Sequence, residues 1–345
     1  MALKHIAFRW LGSMAVASGL TALAARRYAG LGSIFMLHSV VDESYPLPME
    51  NVQTSAGFLE EMIRYYLSRR VPIVSLSDAI SRLQAGSTQR FVCFTFDDGY
   101  RDNLTIALPI FRKYGVPFTI YVTSAFLERR YEDYWWGQLR HLVMDHPITV
   151  GDVLPGRLQM RSIEEKRQAY QKLRAWVADG TLGPAQRDAL FEQHRVSIAD
   201  CLDRDAFTVD ELLAVRSEPL LEIGAHTKTH ARLSQLDEEA ALGDMRLNKV
   251  QLEGIVEREV SHFAFPFGDE ASCGERETRL AAAAGFQTAV TSRIGNLFPD
   301  HLMHRFAMPR LRFLGPCEGV GFMESQRDGV ITAMSTRLGN PVRLS

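Results

Sequence analysis

The segment from Phe91 to Tyr100, FVCFTFDDGY, constrains the fold of this chain more than any other. Six strand-forming residues lead directly into two adjacent carboxylates and a glycine. An apolar run of this length is typical of a fully buried strand, and barrel enzymes carry catalytic groups at the C-terminal ends of such strands. Asp97 and Asp98 would repel each other there, which favours a metal ion bound to one of them. A solvated Asp-Asp-Gly turn is the simpler alternative.

A second short apolar strand, at residues 220–224, is followed by two histidines. His226 and His230 are four positions apart, so a helix or a tight turn would place both imidazoles on one side. Imidazole and carboxylate groups suit zinc, and three protein ligands leave a fourth position for water. A histidine pair without function at the surface is the alternative, but the Asp-Asp-Gly strand end favours a metal site.

A third strand is closed by proline and glycine in the sequence SHFAFPFG, residues 261–268. Pro266 fixes the local backbone and Gly268 permits a sharp turn, so the amide of Phe267 could face a ligand. Alone, this segment is only a strand end followed by a turn.

Taken together and in this order, the three segments resemble the polysaccharide deacetylases of carbohydrate esterase family four, the wider family of the nodulation-type chitooligosaccharide deacetylases. The family motifs are T-F-D-D-G, H-[ST]-x-x-H and R-x-P-x-G. The first two are intact here, and the third matches only at Pro266 and Gly268. The chain also resembles a branch with a histidine after the first strand, here His38, and a Pro-Arg pair in a late strand, here ending at Arg310. The resemblance spans residues 33–315.

The resemblance implies a metal-dependent hydrolase that removes N-acetyl groups from oligo- or polysaccharides of the N-acetylglucosamine type. Asp98, His226 and His230 would bind one divalent ion, with Zn²⁺ favoured and Co²⁺, Ni²⁺ or Fe²⁺ as alternatives. Asp97 would stay off the metal and act as general base on the metal-bound water. The Phe267 amide would stabilise the oxyanion, and the products would be acetate and an amine.

Two departures from the family pattern leave roles to be assigned. The motif arginine that pairs with the catalytic aspartate is Ala264 in this chain. Arg310 is the candidate to replace it, and an ordinary arginine at the barrel rim is the alternative. The Leu-x-x-His context of the usual acid histidine is not found. We assign the general acid to His38, because the first strand would bring it to the same rim. His301 and His304 are its rivals, and a buried structural histidine is the alternative for His38.

Strand and helix patterns alternate along the chain, which favours parallel strands joined by crossovers. The predicted fold is an α/β, distorted (β/α)7-type barrel over residues 33–317. Strand patterns occur at 33–38, 71–75, 91–96, 117–123, 220–224, 261–265, 286–291 and 306–312. Helix patterns occur at 54–69, 77–85, 104–114, 235–260 and 275–285.

Residues 124–219 are too many for an ordinary crossover between strands. Periodic patterns at 161–178 and 184–202 predict a helical insertion between the Asp-Asp strand and the histidine strand. Trp135 and Trp136 lie near its start, and aromatic rings such as these, or that of Tyr100, could stack on sugars. The alternative is that the tryptophans anchor the insertion to the barrel.

Both termini lie outside the predicted barrel. Residues 1–32 contain a short apolar run flanked by basic residues, which predicts a helix on the barrel or peripherally on a membrane. A cleaved signal segment ending near Ala24 is the alternative. We therefore favour a cytoplasmic or membrane-peripheral location, with an exported or periplasmic protein as the alternative. Residues 318–345 form a C-terminal tail without a motif.

The composition restricts the partners. Hydrophobic residues make up 46% and charged residues 23% of the chain, as in soluble globular proteins. A net charge of −2 gives no electrostatic case for nucleic acid and fits an uncharged glycan. The oligomeric state is not predicted. We expect four free thiols, which mildly favours a reducing compartment. The cysteines are Cys93, Cys201, Cys273 and Cys317.

Two other functions fit the same motifs. Related folds hydrolyse other non-peptide C–N bonds in small amides and ureides, although the long insertion disfavours a tiny buried substrate. A catalytically silent glycan-binding protein is the other alternative, but such a relative should have lost the base or a metal ligand. Here Asp97, Asp98, His226 and His230 are all present.

Overall fold

Seven parallel strands close into a barrel within the residues that the computed structural model describes, 25–42, 52–131, 133–145, 158, 161–312 and 320–342. Their order around the barrel is β1 (Gly32–Leu37), β4 (Phe91–Phe96), β5 (Phe118–Val122), β6 (Leu221–Ala225), β7 (His262–Ala264), β8 (Thr288–Ile294) and β9 (Met308–Arg312). Strand β9 pairs again with β1. The short strands β2 (Ser39–Val41) and β3 (Gln53–Ser55) form a separate parallel pair. The predicted seven-unit α/β barrel is confirmed.

Helices connect the strands and cover the outside of the barrel. Those before the insertion are α1 (Ala56–Ser68), α2 (Leu76–Gln84), α3 (Leu108–Tyr114) and α4 (Ser124–Leu127). The insertion contains α5 (Trp135–Asp145), α6 (Ile163–Ala178), α7 (Pro184–Gln193), α8 (Ile198–Asp205) and α9 (Val209–Ala214). Four more follow it, α10 (Glu238–Val256), α11 (Glu275–Ala283), α12 (Val320–Arg327) and α13 (Val330–Ser335).

Side chains of β4 alternate between the two faces of the barrel wall. Phe94 and Phe96 pack outward in a cluster with the helices, whereas Phe91 and Cys93 belong to a cluster that includes residues of α2. Successive side chains of a strand point to opposite faces, so the odd-numbered positions lie on one side. The same alternation carries the side chain of Asp97 to the inward side at the end of the strand.

A polar network lies where strands β6 and β7 begin. The carboxylate of Glu222 accepts hydrogen bonds from the backbone N–H of Leu76 at 3.0 Å, from the Thr119 hydroxyl at 3.0 Å and from the Ser77 hydroxyl. The Nε2 atom of His262 lies 3.4 Å from a Glu222 oxygen. Glu222 thereby satisfies the first N–H groups of α2 and fixes this helix against the strands.

The insertion has its own hydrophobic cluster, and a buried carboxylate connects it to the end of the barrel where β4 ends. Asp205 accepts hydrogen bonds from Tyr134 at 2.8 Å, from His141 at 2.9 Å and from Arg140. The backbone N–H of Arg101 donates to the Asp205 carbonyl at 2.7 Å. The loop that follows the Asp-Asp-Gly sequence is therefore fixed directly to the insertion.

Two predicted elements differ from the structure, and one pair of strands lies outside the prediction. The segment 71–75 is not a strand, because only Ile73 bridges to β4, and Pro72 lacks an N–H for further pairing. The predicted helix at 184–202 is two helices, since the chain turns at Arg195 with a φ of 55° and Ser197 caps the next helix. The pair β2–β3 was not predicted.

Several predictions about the termini lie partly outside the described residues, including the N-terminal segment before Ala25 and the thiol of Cys317. The thiols of Cys93, Cys201 and Cys273 are free and buried, as predicted. None of the described helices is long and apolar enough to cross a membrane.

The C-terminal helix α12 packs against the barrel. Asn296 donates a hydrogen bond of 3.0 Å to the Gln326 carbonyl and holds this helix in place.

Candidate active site

Asp97 and Arg310 form a buried ion pair at the end of β4. The two terminal nitrogens of Arg310 donate hydrogen bonds of 2.7 Å to the two oxygens of Asp97. The Nε of Arg310 donates to the Thr291 carbonyl at 3.0 Å, so the guanidinium is held in place from β8 as well. Arg310 is 1% exposed and Asp97 2% exposed. Arg310 therefore does not lie at the rim as an ordinary surface arginine.

The charge of Arg310 keeps Asp97 ionised. Burial disfavours the charged carboxylate, but the charge and hydrogen bonds of Arg310, together with the nearby imidazoles of His226 and His38, outweigh burial and lower the pKa of Asp97 below its usual value. A base must be deprotonated before it can accept a proton. Asp97 meets this requirement at neutral pH.

Asp98, His226 and His230 bring three ligand-type atoms together, all within 4.8 Å of one another. The Nε2 atoms of His226 and His230 lie 3.4 Å and 3.1 Å from one Asp98 oxygen. The Nδ1 of His226 donates to the Ala264 carbonyl at 2.8 Å, and the Nδ1 of His230 lies 2.9 Å from the Tyr131 hydroxyl. With Nδ1 as the donor, as at His226, the Nε2 atom keeps its lone pair for a metal, and the Tyr131 hydroxyl can accept from His230 in the same way. This donor set fits one divalent ion of the zinc type.

The backbone lies in the left-handed region at two of the candidate ligands and at the residue that follows the third. Asp98 has a φ of 79°, Thr227 of 65° and His230 of 59°, so the histidine pair lies on a tight turn after β6 and not on a helix. Such conformations cost roughly 1–3 kcal/mol each in non-glycine residues and persist where surrounding contacts impose them. Here the Thr123 N–H donates to the Asp98 carbonyl at 3.1 Å, and the Thr227 hydroxyl accepts from the His230 N–H at 2.9 Å.

Two residues of α10 hold the histidine turn, and the sequence analysis missed both. Asn248 accepts a hydrogen bond of 2.9 Å from the His226 N–H, and Asp244 accepts from the N–H groups of Lys228 and Thr229. Both side chains are buried. The sequence contained one signal for them, because two polar residues four positions apart lie on the core-facing side of a predicted helix.

His38 follows β1 and lies beside the ion pair. Its Nε2 is 3.9 Å from an Asp97 oxygen, and its side chain is 19% exposed. Asn103 fixes the His38 backbone by donating to its carbonyl at 2.6 Å. Burial lowers the pKa of His38, while the charges of Asp98 and Asp97 oppose this effect.

The rival histidines lie elsewhere. His301 accepts a hydrogen bond of 2.9 Å from the Phe298 N–H, and burial lowers its pKa to about 4. It lines a second cleft, of about 440 Å³, which shares no lining residue with the cleft that contains Asp98. His304 lines neither cleft. The structure therefore places His38 next to Asp97, whereas His301 and His304 lie outside the cleft that contains Asp98.

The third motif forms a tight turn against β8. A Cβ atom on Gly268 would lie 2.5 Å from the Ser292 nitrogen, so only glycine fits this close approach. Pro266 lines the cleft that contains Asp98. Within the described part of the chain, the Phe267 N–H donates to no backbone carbonyl. The centre of the Phe267 ring lies 5.7 Å from that of His230.

The candidate ligands open into a cleft of about 170 Å³ that the barrel and the insertion share. Trp135 and Trp136 line it and also pack on the hydrophobic cluster of the insertion. The two tryptophans can therefore both border a substrate and anchor the insertion. Tyr100, 1% exposed, lies at its floor. The insertion also contributes Tyr170 and Arg174, which the sequence analysis missed. The cleft is lined by His38, Val52, Asp98, Tyr100, Trp135, Trp136, Tyr170, Arg174, His226, His230 and Pro266.

Comparison with known proteins identifies the family. The family model described as polysaccharide deacetylase matches residues 84–152 and 190–289, which contain the Asp-Asp-Gly, His-x-x-x-His and Pro-Phe-Gly segments. A comparison with curated proteins finds no match.

Solved structures share the fold at low sequence identity. A de-N-acetylase from Aggregatibacter actinomycetemcomitans is 15% identical, with a TM-score of 0.55 over 86% of this chain and 99% of its own. The deacetylase PplD of Streptococcus pyogenes, solved in complex with acetate, is 15% identical, with a TM-score of 0.54 over 82% of this chain and 92% of its own. IcaB of Ammonifex degensii is 15% identical, with a TM-score of 0.53 over 87% of this chain and 97% of its own.

The family match covers three of the segments that build the site, and the closed barrel brings them together with His38 and Arg310, which lie outside the matched residues. This chain therefore belongs to the polysaccharide deacetylase family of carbohydrate deacetylases.

Proposed function

We propose that this protein is a metal-dependent N-deacetylase that removes acetyl groups from N-acetylglucosamine-type units of a glycan. The observation that supports it most is the arrangement of two adjacent carboxylates in different surroundings. Asp97 is paired with Arg310, whereas Asp98 faces two histidine Nε2 atoms at 3.1 and 3.4 Å. This separates a base from a metal ligand, as amide hydrolysis by an activated water requires.

Asp98, His226 and His230 would hold the ion, because their ligand atoms all lie within 4.8 Å of one another and supply three protein ligands. A divalent ion bound there would supply Lewis acidity, which lowers the pKa of a water and polarises a carbonyl oxygen. The hydrogen bonds at the Nδ1 atoms of the two histidines would fix the ring orientations that this role needs.

Asp97 would accept the proton of the attacking water. Each carboxylate oxygen has two lone pairs, so the two hydrogen bonds from Arg310 leave acceptor capacity on both oxygens. Arg310 would orient the carboxylate and keep it ionised. Because the ion pair is buried, the carboxylate would not rotate away during turnover.

His38 would give a proton to the nitrogen of the leaving amine. It lines the same cleft as Asp98 and lies 3.9 Å from Asp97, so it borders the space that the acetamide would occupy. The Phe267 N–H, for which no backbone acceptor exists in the described chain, would donate to the oxyanion of the tetrahedral intermediate. Collapse of that intermediate would break the C–N bond and release acetate and a free amine.

The experiment is acetate release from N-acetylglucosamine oligomers by metal-stripped protein, with and without added Zn²⁺, Co²⁺, Ni²⁺ or Fe²⁺. We expect release only with metal, and only from N-acetylated oligomers. A panel of small amides and ureides serves as the comparison. Metal-dependent hydrolysis of these compounds without release from any glycan would contradict the proposed substrate class.

A further inference from the structure

We propose that the glycan substrate carries a negatively charged group, a carboxylate or a phosphate, and that Arg174 of the insertion recognises it. The inference rests on the proposed deacetylase function. It concerns which acetylated glycan the cleft selects.

Helix α6 places Arg174 in the catalytic cleft. Tyr170 and Arg174 are one helical turn apart, and both line the cleft together with Asp98 and the two candidate histidine ligands. Ala169, Tyr170 and Leu173 are buried against the hydrophobic cluster of the insertion. The buried face of α6 therefore fixes the backbone next to Arg174, and the half-buried Arg174 borders the cleft in which the substrate would bind.

Arg174 has no carboxylate partner within the described part of the chain. Other arginines of the insertion do have such partners. Arg167 pairs with Glu164 at 2.8 Å on the same helix, and Arg204 pairs with Asp145. A half-buried cation with no partner in the protein favours a ligand that brings the opposite charge.

The other charges of the cleft also favour a negatively charged ligand. Asp97 is neutralised by Arg310, which leaves Asp98 as the negative group among the described residues that line the cleft. A divalent ion would more than cancel that charge. With the ion bound, the described lining residues would carry a net positive charge to which Arg174 adds, although the net charge of the whole chain is −2. The net charge of the whole chain, which fits an uncharged glycan, therefore does not describe the charge of this cleft.

The remaining walls suit the neutral parts of a sugar chain. Trp135 and Trp136 offer aromatic faces beside Arg174, and sugar rings pack on such faces through their C–H groups. The planar guanidinium of arginine forms paired hydrogen bonds with carboxylate or phosphate oxygens. The cleft thus combines an acetamide site, a stacking wall and an anion site, which fits an N-acetylated acidic glycan.

The first test is binding to the metal-free protein, measured by calorimetry with three probes of equal length. These are a neutral N-acetylglucosamine oligomer, a hyaluronan oligomer that carries carboxylates, and an N-acetylglucosamine oligomer that carries phosphate. We expect at least one charged probe to bind about ten-fold more tightly than the neutral one, and this advantage to disappear in Arg174→Gln. Comparison of the two charged probes distinguishes carboxylate from phosphate.

Lys172→Gln is the matched control, because Lys172 is exposed on another face of the same helix and lies outside the cleft. It removes the same charge and should keep the preference. Equal affinities for all probes, no binding of either charged probe, or a preference that survives Arg174→Gln would overturn the inference.

Acetate release by the metal-loaded protein separates this inference from the proposed function. In Arg174→Gln we expect KM for the charged substrate to rise about ten-fold, with kcat within about two-fold of the wild type. If charged glycans bind through Arg174 but release no acetate, the deacetylase proposal fails and the inference stands. If neutral and charged glycans are deacetylated equally by both proteins, the inference fails and the deacetylase proposal stands.

Discussion

Arg310 holds both oxygens of Asp97 at 2.7 Å, and it reaches them from β9. In the family motif, the arginine that pairs with this aspartate belongs to the third segment, where the present chain has Ala264. Here the Ala264 carbonyl accepts a hydrogen bond of 2.8 Å from His226. The ion pair is thus kept although the residue that supplies the positive charge lies on a different strand.

Asp97→Asn should abolish most turnover and retain the metal. Asparagine cannot accept the proton of the attacking water, and general-base catalysis contributes about 10²–10⁴-fold. Metal content and acetate release are measured on the same preparation. Asp98→Asn is the comparison and should lose metal instead. Loss of metal in Asp97→Asn would show that Asp97 is itself a ligand.

Arg310→Gln should destabilise the protein strongly, because it leaves the buried Asp97 carboxylate without its partner. Removal of one member of a buried ion pair costs about 3–5 kcal/mol, measured as the free energy of unfolding in urea. The double variant with Asp97→Asn should lose less than the sum of the single variants. Arg312→Gln, on the same strand but exposed, is the control and should change stability little. Additive losses in the double variant would contradict direct pairing.

His38→Ala should keep the metal and slow turnover by about 10²-fold or more, because the leaving amine would lack a proton donor. The loss should shrink for an N-acetyl arylamine, whose amine leaves with less need of protonation. His301→Gln is the control, since His301 lines the other cleft. An unchanged rate in His38→Ala, or an equal loss for both substrates, would remove the acid role from His38.

Glu222→Gln should cost stability in a pH-dependent way. Burial raises the pKa of Glu222, but hydrogen bonds with His262, Ser77 and Thr119 outweigh burial and lower it to about 2 from 4.5. A lowered carboxyl pKa stabilises the fold above pH 4.5, and this stabilisation is lost as pH falls towards 2. The variant should therefore be less stable than wild type at pH 7, by up to about 3 kcal/mol, with the gap closing below pH 4. A gap that stays constant from pH 7 to pH 3 in urea unfolding would contradict this account.

The sequence predicted those parts of the site that depend on local patterns. The six-residue apolar run before Asp97 indicates a buried strand, and the alternation of its side chains places Asp97 inward. The spacing of His226 and His230 likewise indicates that both rings lie on one side. These properties need only a few neighbouring residues.

The remaining parts depend on how distant elements pack. A periodic pattern predicts helix α6 but does not show that Arg174 reaches a cleft formed by the barrel, because the path of the insertion is fixed by contacts such as those of Asp205. The pairing of Arg310 with Asp97 likewise requires a closed barrel. At residues 71–75 the apolar pattern favoured a strand, but Pro72 and the start of α2 limit pairing to a single bridge.

The most direct test of the central claim is a zinc titration of metal-free protein, with acetate release from the best glycan substrate as the readout. The account predicts no release without zinc and a rise that saturates at one equivalent, which His226→Ala should abolish. Release by the metal-free protein at the full rate, or an unchanged titration curve for His226→Ala, would contradict a deacetylase whose activity depends on the Asp98, His226 and His230 site.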